Sequence, residues 1–198
     1  TVKNRQTDIP TSMDIFVRAD KADSVKSADT FRMHGEMGKF LQDLQPFKLS
    51  ITLRGDKGSG KTTFAFQMIE AFIDCGYDVG LFSLEQGGLE SVHTRDLMEQ
   101  YIKPANRSKL AISGEAAYGI ETIKKYAKKF DVIVIDSWGK LKLQNTEFDT
   151  LRQEFPDTIW VVIFQENAEG RTRGGPASDY EAPVVLKTWK VDSTFVNN

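Results

Sequence analysis

Gly55–Thr62 reads GDKGSGKT: a glycine, four residues, then Gly60, Lys61 and Thr62 in succession. Glycines tolerate positive φ and leave the main chain open, so consecutive N–H groups can curl around an anion. A lysine and a hydroxyl directly after them add a positive charge and a hard oxygen. Residue types in this order suit the phosphates of a nucleoside triphosphate together with Mg²⁺. Gly55, Asp56, Lys57, Gly58, Ser59, Gly60, Lys61, Thr62 and Thr63 then form the phosphate-binding stretch. Lys61 reaches the β- and γ-phosphates, and the Thr62 hydroxyl ligates Mg²⁺.

Three more polar residues each close an apolar run. Asp136 ends DVIVID, where a carboxylate can hold Mg²⁺ through its water shell. Glu85 ends VGLFSLE, and a carboxylate beside a γ-phosphate can take a proton from an attacking water. The competing reading is an acid at the N-terminus of the helix that follows. Gln165 ends IWVVIFQ, where it can sense the γ-phosphate or merely terminate a strand. Lys61, Glu85 and Gln165 are therefore the candidate catalytic residues.

These residues need strands and helices to position them, and the hydrophobic periodicity supplies both. Leu49–Leu53 is a short apolar strand entering the glycine loop. Lys61–Cys75 is a largely buried helix closed by Gly76. Val79–Leu84, Lys109–Ser113, Asp131–Asp136, Ile159–Phe164 and Val184–Val191 follow as strands, the last alternating as an edge strand does. Helices are expected over Leu89–Tyr101, with Leu89, Val92 and Leu97 on one face, and around Ile120–Phe130 and Phe148–Phe155. This alternation predicts a doubly wound α/β fold, a mainly parallel sheet with helices on both faces. Ligands belong at the carboxyl ends of its strands.

Composition narrows the class. The chain has 198 residues, 40% hydrophobic and 27% charged, which fits one domain with a sizeable core. Residues 1–30 are polar, mix both charge signs and read as an arm or linker, leaving 31–198 as the domain. Thr1 is not an initiator methionine, so the chain reads as a processed or excised piece. The longest apolar run, Ile159–Phe164, is too short to span a membrane, and the N-terminus lacks an apolar secretory core. A cytoplasmic protein is expected. One cysteine, Cys75, excludes a disulfide framework, and His34 and His93 have no partners at metal-ligand spacing. A formal charge of −2 offers nucleic acid no global attraction.

A phosphate loop, a strand ending Ser-Leu-Glu, a strand ending in Asp136 and a strand ending in Gln165 together resemble the RecA/DnaB/RadA superfamily of ATPases. The resemblance runs from about residue 35 to residue 191, including FLQDLQPFKLSITLRGDKGSGKTTFAFQM and GRTRGGPASDYEAPVVLK. It implies ATP as the nucleotide, a ring or filament homo-oligomer, and a DNA-processing ATPase of the helicase, recombinase or repair type. It implies that the loop 166–179 meets single-stranded DNA, with Arg171 and Arg173 as phosphate contacts. It also implies a strand order in which the Gln165 strand lies between the Asp136 strand and the loop strand, with Glu85's strand beside Asp136's. The family's trans-acting basic finger follows the last matched strand, about where residue 198 falls, so slow turnover is expected from this chain alone. Lys3-Asn4-Arg5 stands at the opposite end and reads as coincidence. The alternative is an ATP-dependent assembly or regulatory switch that does not bind DNA. A small-molecule kinase lacks its arginine-rich lid, and no Asn-Lys-x-Asp sequence supports guanine recognition.

Overall fold

Alternation within single strands divides this molecule into two cores. In the computed structural model, which describes residues 18–24, 26–165 and 182–190, every ladder pairing is parallel. The strands are β1 (Ser50–Gly55), β2 (Val79–Ser83), β3 (Leu110–Ser113), β4 (Val132–Asp136), β5 (Ile159–Gln165) and β6 (Val184–Lys187). Their order across the sheet is β3-β2-β4-β5-β1-β6. The Gln165 strand thus lies between the Asp136 strand and the loop strand, and β2 lies beside β4, as the resemblance implied.

Helices α1 (Gly35–Leu41), α2 (Lys61–Asp74), α3 (Val92–Tyr101), α4 (Ile120–Ala127) and α5 (Asn145–Glu154) connect or flank the strands. Val132, Val134, Val161 and Ile163 point to one face and pack with Phe66, Ile69 and Phe72 of α2 and Leu97 of α3. Ile133, Ile135, Trp160, Val162 and Phe164 point to the other and meet Ile123 of α4 and Phe148 and Leu151 of α5. Period-two alternation in strands covered on both sides makes every position apolar, which is why DVIVID and IWVVIF read as continuous apolar runs.

The helix after the loop keeps its expected span: Lys61 begins it, Cys75 caps it, and Gly76 follows at φ +99°. Three elements differ from their expected form. The helix read as Leu89–Tyr101 begins at Val92, and Leu89 and Val92 are exposed. Glu90 turns its carboxylate onto the Gly88 amide, which folds 87–90 as a turn and leaves Thr94 and Leu97 as the buried face. Within the polar arm, Ala19–Ser24 forms a 3₁₀ turn, a local i→i+3 arrangement that needs no apolar stripe. The last strand ends at Lys187, short of the expected Val191, and it is an edge strand.

Candidate nucleotide site

Parallel pairing brings the carboxyl ends of β1, β2, β4 and β5 to one edge, and register sets how they line up. Gly55 stands opposite Gln165, and Ser83 stands opposite Asp136. The Glu85 amide then donates to the Asp136 carbonyl at 3.0 Å, so the turn after β2 is tied to the end of β4. Residues separated by dozens of positions meet around the glycine loop.

The loop itself has the shape its glycines permit. Gly55, Gly58 and Gly60 adopt φ of +140°, +76° and +87°. Gly60 is the N-cap of α2 and supplies no side-chain cap, which leaves the helix's first N–H groups directed at the loop mouth. Lys61 is buried, its ammonium donating to the Gly55 and Asp56 carbonyls at 2.8 and 2.7 Å. The chain thus presents a fixed cation and a row of backbone donors in one concavity, a combination suited to an anion.

Thr62 and Asp136, 74 residues apart, are joined by a hydrogen bond of 2.7 Å from the Thr62 hydroxyl to Oδ2 of Asp136. The other oxygen, Oδ1, is buried and accepts no hydrogen bond from any described residue. Burial pushes the Asp136 carboxyl up to about 6; the Thr62 bond pulls it down, Glu85's charge adds to the rise, and Lys61 and His93 oppose it. A buried carboxylate with an orphaned oxygen beside a hydroxyl fits Mg²⁺, whose sites use one or two protein oxygens and leave the rest to phosphates and water. No group of three or more His, Cys, Asp or Glu able to hold a metal occurs among the described residues.

Glu85 and Gln165 also converge. The Gln165 amide nitrogen donates to Oε2 of Glu85 at 2.5 Å, 80 residues away in sequence. Glu85 is half-buried in the turn after β2, well ahead of the first turn of α3 at Val92. Arg171 and Arg173 lie outside the described residues. Two contributors were not anticipated. His93 opens α3 close enough to bias Asp136, although its sequence neighbourhood carries no such signal. Thr188, just past β6, packs on the loop: its amide donates to the Arg54 carbonyl at 2.8 Å, and its hydroxyl is 2.7 Å from that of Ser59. Its hydroxyl also donates to the Arg54 carbonyl at 3.1 Å.

With the geometry in place, comparison with known proteins identifies the architecture. A KaiC-like protein from the hyperthermophilic archaeon Pyrococcus horikoshii superposes with a TM-score of 0.53 at 21% identity, covering 71% of each chain. The flagellar accessory protein FlaH of Methanocaldococcus jannaschii superposes with a TM-score of 0.61 at 14% identity, covering 83% of this chain and 84% of its own. The chain shares the fold of these two proteins. In sequence it is 28% identical over 120 residues to the nucleoside-triphosphatase THEP1 of Methanocaldococcus jannaschii, covering 54% of this chain and 71% of the relative. No protein-family model matches the chain. No helix among its described residues is long and apolar enough to cross a membrane.

Proposed function

We propose that this chain is a P-loop NTPase of the RecA-like kind that hydrolyses ATP with Mg²⁺ and uses the reaction as a switch. The observation that supports it most directly is the Gln165–Glu85 hydrogen bond beside the Thr62–Asp136 pair. Lys61 and the loop amides hold the β- and γ-phosphates. Thr62 and Asp136 would hold the metal, which would offset charge on the phosphate oxygens. Glu85 accepts a proton from the attacking water as that oxygen bonds to the γ-phosphorus. The bond from the γ-phosphorus to its bridging oxygen breaks, and the electron pair leaves with ADP. Gln165 orients the Glu85 carboxylate and carries the presence or loss of the γ-phosphate into the chain beyond β5. The similarity to a nucleoside-triphosphatase supports hydrolysis rather than storage of the nucleotide.

The finer reading couples this switch to single-stranded DNA through Arg171 and Arg173 in a homo-oligomeric helicase, recombinase or repair enzyme. It is carried by the resemblance of the segment after Gln165. A regulatory or assembly switch that leaves DNA alone is the second reading, and the likeness in fold to a flagellar accessory protein favours it. One experiment separates them: ATP hydrolysis at low salt with and without single-stranded DNA, for the native chain, Glu85→Gln and Lys61→Ala. Lys61→Ala should lose nucleotide binding. Glu85→Gln should keep binding and lose about 10²- to 10⁴-fold in turnover. Normal turnover by Glu85→Gln removes the base assignment. Turnover that rises with DNA supports the DNA reading, and turnover indifferent to DNA supports the switch.

A further inference from the structure

β6 leads into a short strap, Lys187–Lys190, that lies along the phosphate loop. Thr188 fastens it through the three contacts to Arg54 and Ser59 described above. The side-chain end of Lys190 reaches 3.3 Å from the point where a Gly58 Cβ would stand. Between strap and α2 opens a cleft of about 440 Å³, lined by Ser59, Thr63, Phe64, Gln67, Thr188 and Trp189. That volume is within the range of small-ligand sites. The cleft starts at Gly60 and Thr63, at the edge of the loop read here as the phosphate site, within reach of a nucleoside attached to phosphates held there.

The strap brings an aromatic side chain to the cleft. Of the three tryptophans, Trp138 and Trp160 are fully buried in the core, whereas Trp189 is 69% exposed. An indole held beside a phosphate site offers a flat π-face to a base. Gln67, exposed one turn beyond Thr63 on the same side of α2, brings an amide able to donate to and accept from a base edge.

Resting on the phosphate-loop reading, we propose that Trp189 is the platform on which the nucleotide base stacks, which gives the site a preference for purine over pyrimidine triphosphates. Stacking grows with the area of the ring, and a purine overlaps an indole more fully than a pyrimidine does. The strap makes this contact within one chain and ties base recognition to the shape of the loop.

Calorimetry and intrinsic fluorescence with Mg-ATP, Mg-UTP and inorganic tripolyphosphate test the assignment on the native chain, Trp189→Ala and Trp189→Phe. ATP should quench the emission of the native chain, because Trp189 is its exposed indole, and tripolyphosphate should bind without quenching. Trp189→Ala should weaken ATP about tenfold and narrow the ATP-to-UTP ratio, with tripolyphosphate affinity unchanged. Trp189→Phe should keep most of the ATP affinity and lose the quench. Tripolyphosphate binding together with equal ATP affinity in all three proteins overturns the Trp189 assignment and leaves the phosphate site standing. Failure of the native chain to bind tripolyphosphate overturns the phosphate-loop reading, and this inference with it.

Discussion

Asp136→Asn should make the nucleotide-free protein more stable, by an amount that grows with pH. The Asp136 carboxyl is 2% exposed and rises from its ordinary 3.8 to about 6, chiefly through burial. A carboxyl raised in this way keeps its proton longer in the folded state than in the unfolded chain. Its contribution to stability is therefore fully present below about 3.8 and lost as pH rises through about 6. At 1.36 kcal/mol per pH unit, the ionised form at pH 7.5 costs the fold about 3 kcal/mol relative to a neutral side chain. At pH 4.5 the same linkage gives about 1 kcal/mol. Asparagine has the same shape, still accepts from Thr62, and never ionises. Other carboxylates, such as Asp74, held low by Lys103 and Asn106, cancel in the difference between the two proteins.

The assay is a pair of thermal melts in chelator at pH 4.5 and pH 7.5, without nucleotide. At pH 7.5 the variant should melt about 6–12 °C above the native chain, and about 2–4 °C above it at pH 4.5. Saturating Mg-ATP should then reverse the order. At a thousand times its dissociation constant it adds about 4.1 kcal/mol to the native chain, more than the deficit of about 3 kcal/mol, and little to a variant that has lost the charge proposed to hold the metal. A difference that stays flat with pH, or a native chain more stable at pH 7.5 without metal, would refute the reasoning. Either result would mean that the carboxylate is not penalised by its burial.

Two other substitutions probe the loop and the switch. Gly55→Ala would put a methyl group 2.2 Å from the Thr188 carbonyl oxygen and 2.7 Å from the Ser59 hydroxyl, at a φ of +140°. It should cost about 1–3 kcal/mol in a urea titration and weaken ATP as the strap is displaced, and unchanged values on both counts would show that the strap yields freely. Gln165→Ala removes the 2.5 Å bond that orients Glu85, so ATP affinity should hold while turnover drops about 10- to 100-fold. A drop in affinity without a drop in turnover would instead make Gln165 a binding residue.

The glycine loop was legible because its shape is set locally. Every group it needs lies within nine consecutive residues, and glycine, lysine and threonine carry the required freedom, charge and hydroxyl wherever the chain goes. The strands were legible for a related reason: a strand covered on both faces must be apolar at each position, so DVIVID and IWVVIF mark themselves, and Asp136 and Gln165 mark where the apolar run ends. Leu89 and Val92 misled because a turn closed by Glu90 outranked their spacing.

What the sequence by itself determined is the strand pattern and the carboxyl-end address of Gly55, Asp136 and Gln165. Tertiary structure decided which residues touch. Thr62 meets Asp136 across 74 positions, Glu85 meets Gln165 across 80, and Thr188 reaches Ser59 across 129. Such pairs depend on strand order and register, which arise from packing two apolar faces at once and leave no trace in any local window. The raised pKa of Asp136 is likewise a property of what surrounds it, because a carboxylate's cost of ionisation is set by the water the fold removes.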